Sequence, residues 1–137
     1  MGRILAIDYG TKRTGLAVTD PDKIIATGLT TAPSHMLFTY LGKYLKENEV
    51  ECFVVGEPKQ MNNSPSASAK GVNDFIKKLQ HKFPSIPIKR MDERFTSKMA
   101  VQTLIDSGLK KKERRNKALL DEVSATIILQ SYLESLK

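Results

Sequence analysis

The most constraining feature of this 137-residue chain is the segment Arg3–Val18, in which two short apolar runs flank a turn bounded by glycines. Runs of this kind predict two buried β-strands joined as a hairpin. Asp8 ends the first run, on the face of the strand that Ile4 and Ala6 share. A carboxylate in such a position is costly unless a cation or hydrogen-bond donors meet it. The segment therefore predicts either a capped turn or a binding site at the end of the first strand.

The turn that follows Asp8 carries groups suited to a phosphate oxygen. Gly10 frees backbone N–H groups, and Lys12 and Arg13 add two cations beside them. An acid next to phosphate-binding groups suggests that a metal ion lies between them. The alternative is that Asp8 caps the turn while Lys12 and Arg13 are solvated charges of a hairpin.

Composition limits the class of protein. A chain of this length fits one domain, residues 1–137, and needs no second. The formal charge of +7 favours a polyanionic partner, and nucleic acid is the usual one for a basic protein. The single cysteine, Cys52, cannot form an internal disulfide, which favours a cytoplasmic location and a packing role. We expect no membrane association, because the sequence has neither a long apolar run nor a signal-peptide pattern.

Further periodic patterns extend the predicted sheet. We expect strands over Lys23–Gly28, Val50–Gly56 and Ile86–Met91, the second of them buried on both faces, and a last helix from Ala118 to Leu136. Amphipathic helices fill the intervals, since apolar residues recur there at helical spacing. These residues are Leu37, Tyr40, Leu41, Tyr44 and Leu45, with Ser34 as N-cap; Val72, Phe75, Ile76, Leu79 and Phe83; and Val101, Leu104 and Ile105.

The order of these elements predicts an α/β fold with a mixed five-stranded sheet. An antiparallel meander would be extended by parallel strands through right-handed crossovers, with helices on its faces. In such sheets, ligands collect at the carboxyl ends of the strands.

Three acids stand where this sheet would bring them together. Asp8 and Glu93 lie at the ends of strands, and Asp121 lies in the last helix with small residues three and four positions later. Three close carboxylates require divalent cations between them, and ligand sets made only of oxygen suit Mg²⁺ or Mn²⁺. Each acid also has a simpler interpretation. Asp121 can complement the helix dipole, and the acids at 92 and 93 can form a surface salt bridge with the arginine that follows.

Four ordered motifs resemble those of the YqgF family, which comprises Holliday-junction-resolvase-like nucleases associated with processing the 5′ end of pre-16S rRNA. They are Asp8–Ala17, Val54–Pro58, Asp92–Thr96 and Asp121–Ala125 with Ile128–Gln130. The resemblance covers the chain from its first residue to the last helix and implies a ribonuclease-H-like fold. It also implies that Asp8, Glu93 and Asp121 are catalytic and bind the metal, with Asp92 beside them. Glu57 adds a fourth acid where relatives more often carry an apolar or amide residue.

Together, the residues and the resemblance predict a metal-dependent nuclease that hydrolyses phosphodiester bonds. The resemblance implies pre-16S rRNA as the substrate, with ribosomal particles as further partners. We expect a set of basic residues to hold backbone phosphates, namely Lys12, Arg13, Arg94, Lys110, Lys111, Lys112, Arg114, Arg115 and Lys117. Few aromatic residues stand in exposed segments, which favours a structured or double-helical substrate.

The sequence leaves other functions open. A Holliday-junction resolvase acting on branched DNA would need a two-fold dimer, whereas an enzyme that trims rRNA could act as a monomer. A non-catalytic RNA-binding or ribosome-binding module would have the same charge and fold, and the basic segment 110–117 can equally be a solvated charge run. The segment Asp8–Gly15 also resembles the phosphate loop of actin-like and sugar-kinase ATPases, but those enzymes need a second lobe that 137 residues cannot hold.

Overall fold

A computed structural model describes the chain over residues 2–10, 12–57, 67–92 and 117–136. Strands and helices occupy most of these ranges. They are β1 (Arg3–Asp8), β2 (Arg13–Thr19), β3 (Ala26–Pro33), α1 (Leu37–Glu47), β4 (Val50–Glu57), α2 (Ala67–Lys82), β5 (Ile88–Asp92) and α3 (Lys117–Ser135). A short 3-10 helix, Ser34–Met36, leads directly into α1.

The five strands form one mixed sheet in the order β3-β2-β1-β4-β5. β2 is antiparallel to both β1 and β3, while β4 is parallel to both β1 and β5. The predicted ribonuclease-H-like sheet, a meander extended by parallel strands and flanked by helices, is therefore confirmed. The register aligns Ile7 with Val55 and Glu57 with Asp92, so that β1, β4 and β5 end at the same edge of the sheet.

Helices cover both faces of the sheet and create two separate cores, because side chains along each strand alternate between the faces. The core beneath α1 and α2 contains Leu5, Ile7, Leu16, Leu37, Leu41, Val50, Phe53, Val55, Val72, Phe75, Ile76 and Leu79. The core beneath α3 contains Ile4, Ala6, Ala17, Cys52, Val54, Ala125, Ile128 and Leu129. Cys52 is buried in the second core, in agreement with its predicted packing role. This burial raises the pKa of its thiol.

The direction of α3 follows from its contacts with the sheet. Near its first turns, Glu122 lies against β3: a Cβ added to Gly28 would stand 2.5 Å from Glu122 Oε1. Near its last turns, Leu133 lines the same cavity as Ala26, at the start of β3, and Tyr132 contacts Cys52, near the start of β4. α3 therefore runs against the direction of β1, and its first turns lie toward the edge at which β1, β4 and β5 end.

The third strand differs from its predicted position. The sequence predicts it over Lys23–Gly28, but it runs over Ala26–Pro33. Asp20 explains the shift, because its Oδ1 accepts hydrogen bonds of 2.8 Å from the backbone N–H groups of both Ile24 and Ile25. The apolar pair that suggested a strand therefore lies in a turn, where both side chains are more than half exposed.

The remaining elements lie close to their predicted bounds. β4 extends to Glu57, β5 begins at Ile88 and ends at Asp92, and α3 begins and ends within a residue of the expected positions. The helix predicted through Val101, Leu104 and Ile105 lies outside the described residues. In the part of the chain that the structure describes, no helix is both long and apolar enough to cross a membrane.

Candidate active site

Asp8 is the last residue of β1, the central strand of the sheet. It is half-buried, and the alternation along β1 places it after Ile4 and Ala6 on the face that α3 covers. In the sheet register Asp8 pairs with Gly15 of β2. It is therefore part of the strand ladder, at the carboxyl edge where the sequence predicts a ligand site.

Two further acids end the neighbouring strands. Glu57 is the last residue of β4 and Asp92 the last residue of β5, and the register pairs them directly. Because Ile7 pairs with Val55, Asp8 lies one position behind this pair on the adjacent strand. Neighbouring strands lie about 4.8 Å apart, so the backbones of these three acids form a row along one edge of the sheet.

The other two acids of the predicted triad are Glu93 and Asp121. Glu93 directly follows β5 but lies outside the described residues. Asp121 is part of α3, one helical turn before Ala125, which is completely buried against the sheet. The backbone at 121 thus lies in the end of α3 that points toward the carboxyl edge. The role of Glu93 and Asp121 as metal ligands stays a prediction.

The donor set at this edge fits a hard divalent cation. The strand ends carry carboxylates, and carboxylate oxygens are the ligands that Mg²⁺ and Mn²⁺ prefer. Among the side chains that the structure describes, no three His, Cys, Asp or Glu residues form a metal-binding group, and Asp8 is the triad member whose side chain is included. Both histidines, His35 and His81, are exposed, as the sequence predicts.

The loop between β1 and β2 is held in place by Ser34. Its Oγ donates a hydrogen bond of 2.5 Å to the carbonyl oxygen of Gly10 and lies 2.9 Å from Thr14 Oγ1. Its backbone N–H donates to the carbonyl oxygen of Lys12 at 3.0 Å. The loop that carries the predicted phosphate-binding cations is thereby tied to the segment that precedes α1.

This position of Ser34 corrects the sequence prediction. Ser34 is expected to cap α1, but α1 begins at Leu37 and has no side-chain cap. Sequence reasoning missed the tethering role because the partners of Ser34 stand twenty or more residues away along the chain. Gly10 is needed in the same loop, since a Cβ there would clash with the carbonyl oxygen of Arg13.

The predicted phosphate-binding residues fall into two groups. Lys12 is exposed in the tethered loop, the half-buried Arg13 begins β2, and Lys117 begins α3. The rest lie outside the described residues, namely Arg94, Lys110, Lys111, Lys112, Arg114 and Arg115. Lys12 and Arg13 stand only four and five positions after the candidate acid Asp8 in the sequence.

Comparisons with known proteins found a matching family model, similar sequences and a similar solved structure. The family model described as "RuvX: Holliday junction resolvase" matches residues 2–135. A protein of Phocaeicola vulgatus named "Putative pre-16S rRNA nuclease" is 58% identical over 137 residues, covering 100% of this chain and 99% of that protein. A protein of the same name from Christiangramia forsetii is 59% identical, covering 97% of this chain and 98% of that protein. The solved structure of Thermus thermophilus RuvC covers 98% of this chain and 96% of that chain, with a TM-score of 0.48 and 14% identity.

Proposed function

This chain belongs to the RuvX family, described as Holliday junction resolvase, and on that premise we propose that it is a nuclease that hydrolyses phosphodiester bonds in pre-16S rRNA. The match confirms the resemblance to the YqgF family, which is the same family as RuvX. The substrate is supported by the name that relatives 58% and 59% identical share over nearly their full length. The observation that carries the proposal is the position of Asp8 at the carboxyl end of the central strand, in a row with the acids that end β4 and β5.

The proposed catalytic residues are Asp8, Glu93 and Asp121, which would hold Mg²⁺ or Mn²⁺. Three features support them: Asp8 ends β1, Glu93 follows β5, and the first turns of α3 point toward the same edge. A bound divalent cation would supply charge neutralisation and an activated water for attack on phosphorus.

The chain's own contribution to the reaction is positioning. Lys12 and Arg13 would bind phosphate oxygens on either side of the scissile bond and offset their negative charge. Ser34 would keep that loop in one conformation, so that little ordering remains to be done when the substrate binds. The proposal requires no nucleophilic serine, cysteine or histidine.

The nuclease proposal is tested by comparing the protein with its Asp8→Asn variant on pre-16S RNA and on a four-way DNA junction, with and without Mn²⁺. We expect the protein to cut the RNA only when Mn²⁺ is present. Asp8→Asn should melt at nearly the same temperature and bind RNA equally well, but cleave at least about 100-fold more slowly, because it removes a charged group that acts on the transition state. Equal cleavage rates would reject Asp8 as a catalytic residue.

A second candidate function is resolution of branched DNA, and the description of the family model favours it. Faster cleavage of the junction than of the RNA, together with a two-fold dimer in solution, would assign this activity instead. Retained RNA binding without metal-dependent cleavage of either substrate would identify a non-catalytic RNA-binding or ribosome-binding module.

A further inference from the structure

A groove separates α1 from α2 on the face of the sheet opposite to α3. Its inner part is a cavity of about 460 Å³ whose lining includes Tyr9, His35, Phe38, Asp74, Phe75 and Lys78. Its outer part is a cavity of about 420 Å³ lined by Phe38, Lys77, Lys78, His81 and Lys82. The two cavities adjoin, since Phe38 and Lys78 line both of them, and we call the two together the α1–α2 groove.

The inner end of the α1–α2 groove lies next to the candidate active site. Tyr9 directly follows Asp8, and their Cα atoms are about 3.8 Å apart, as in any trans peptide. The ring of Tyr9 stacks on Phe75 of α2, with centroids 4.4 Å apart and an angle of 8° between the ring planes. A ligand that leaves the groove past Tyr9 therefore arrives at the carboxyl edge of the sheet. It must pass around that edge to reach the side chain of Asp8, which lies on the face that α3 covers.

The outer end of the groove is basic. Lys77, Lys78, His81 and Lys82 are all exposed, and their spacing places two pairs one helical turn apart on α2. None of the four forms an ion pair with another residue that the structure describes. The helix dipole accounts for cations in the last turn of α2 but not for the two lysines that precede it. Asp74 is the acid that lines the groove, so positive charge predominates there.

The wall of the groove contains an accessible aromatic ring. Phe38 of α1 is half-buried and lines both cavities. It contacts Phe75 in a tilted arrangement, with centroids 5.6 Å apart, so its position is set by the core below. An aromatic ring beside a row of cations is the combination that binds single-stranded nucleic acid, because bases stack on the ring while phosphates meet the cations.

We propose that the α1–α2 groove binds a single-stranded segment of the nucleic-acid substrate and leads it to Asp8. Its phosphates would contact Lys77, Lys78 and Lys82, and a base would stack on Phe38. This inference rests on the proposed nuclease function and deepens it, since it adds a path for the substrate strand. The groove follows α2 from Gly71 to Lys82, a length of about 16 Å, which is enough for a few nucleotides.

The charge of the groove is tested with Lys78→Gln/Lys82→Gln. A matched control is Lys43→Gln/Lys46→Gln, because both lysines are exposed on α1 outside the groove and the variant removes the same charge. Binding of a fluorescent 12-nucleotide single-stranded RNA is measured by anisotropy in EDTA at several salt concentrations. We expect the groove variant to bind several-fold more weakly and to lower the salt slope by about 1.4, which corresponds to two phosphate contacts. Equal slopes for the groove variant and the control would overturn the proposal.

The base contact is tested with Phe38→Leu, which keeps an apolar side chain but removes the flat ring. We expect it to bind the single-stranded RNA at least about fivefold more weakly, while binding of a blunt-ended RNA duplex is unchanged. A loss of the same size on both ligands would overturn single-strand binding and assign the groove to a duplex backbone. Melting temperature is measured for each variant, and the lysine variants decide the question if Phe38→Leu does not fold.

Cleavage in Mn²⁺ is measured on the same variants, so that the two proposals fail separately. If the lysine variants bind and cleave like the unmodified protein, the groove proposal is overturned and the nuclease proposal stands. If Asp8→Asn cleaves normally while the lysine variants lose single-strand binding, the groove proposal is supported and the catalytic assignment is rejected.

Discussion

Asp8 and Asp20 are both aspartates near a turn, but their positions in the fold give their carboxylates different surroundings. Asp8 ends the central strand, next to a row of further acids. Asp20 lies in the turn after β2, where hydrogen bonds from the backbone N–H groups of Ile25 and Ile24 lower its pKa. Backbone N–H groups nearby in sequence satisfy the charge of Asp20, so that this residue stabilises the turn. Asp8, in contrast, is the residue that we propose binds a metal ion.

We predict that Asp20→Ala lowers the melting temperature at neutral pH, because the turn before β3 loses two hydrogen bonds to a charged acceptor. The pKa of Asp20 is lower in the folded protein than its ordinary value of 3.8. Its contribution is therefore fully present above that value and disappears as the pH falls through the folded-state pKa. Thermal unfolding at pH 6 and near pH 2 measures this difference, with Asp22→Ala as the control of equal charge. A difference in melting temperature as large at pH 2 as at pH 6 would contradict the hydrogen-bond explanation.

Among the elements, α3 links the core to the candidate site. Ala6, Ala17 and Ala125 are completely buried between the helix and the strands, which allows α3 to approach the sheet closely. Close packing leaves little space for larger side chains. The distance of α3 from β1, and with it the position of the backbone at 121, therefore depends on three methyl-sized contacts.

We predict that Ala125→Leu lowers the free energy of unfolding by about 1–3 kcal/mol, because the larger side chain overpacks the core. It should also reduce cleavage more than its stability loss explains, since α3 is displaced from the carboxyl edge. Ile128→Val, a buried change on the same helix that costs about 0.5–1.5 kcal/mol, is the control. Urea unfolding and cleavage rates are compared, and full activity in Ala125→Leu would argue against Asp121 as a metal ligand.

At the scale of the whole molecule, the excess of 22 lysines and arginines over 15 acids gives a general attraction to nucleic acid. Among the described residues, two groups of these cations lie near the candidate site or the groove, namely Lys12 and Arg13 in the loop after β1 and the lysines at the end of α2. A third basic segment, residues 110–117, lies outside them. Net charge alone cannot say which of these segments touches phosphate.

We predict that changing Lys110, Lys111, Lys112, Arg114 and Arg115 together to glutamine flattens the dependence of RNA binding on salt. Each lost contact with a duplex phosphate should reduce the slope by about 0.9. The measurement is a binding titration at several salt concentrations on a structured RNA. An unchanged slope would mean that segment 110–117 is a solvated charge run.

Local sequence determined the strands and helices whose apolar residues recur at the spacing of a strand or a helix. The central strands β1 and β4 and the stripes of α1 and α2 were predictable, because a strand or helix that buries one face must repeat apolar residues at two or at three to four positions. The row of acids was predictable in part, since strand ends on parallel strands meet at one edge. The start of β3 was not predictable, because its apolar pair is exposed by a turn that Asp20 holds.

Only the tertiary structure decided which faces meet. The tether from Ser34 to Gly10, the stacking of Tyr9 on Phe75 and the close approach of α3 each join residues that are distant in sequence. A local pattern records that a face is buried but not which partner covers it, because that choice depends on how all the elements pack at once. The α1–α2 groove also results from tertiary packing, since residues of α1, of α2 and of the end of β1 line it together.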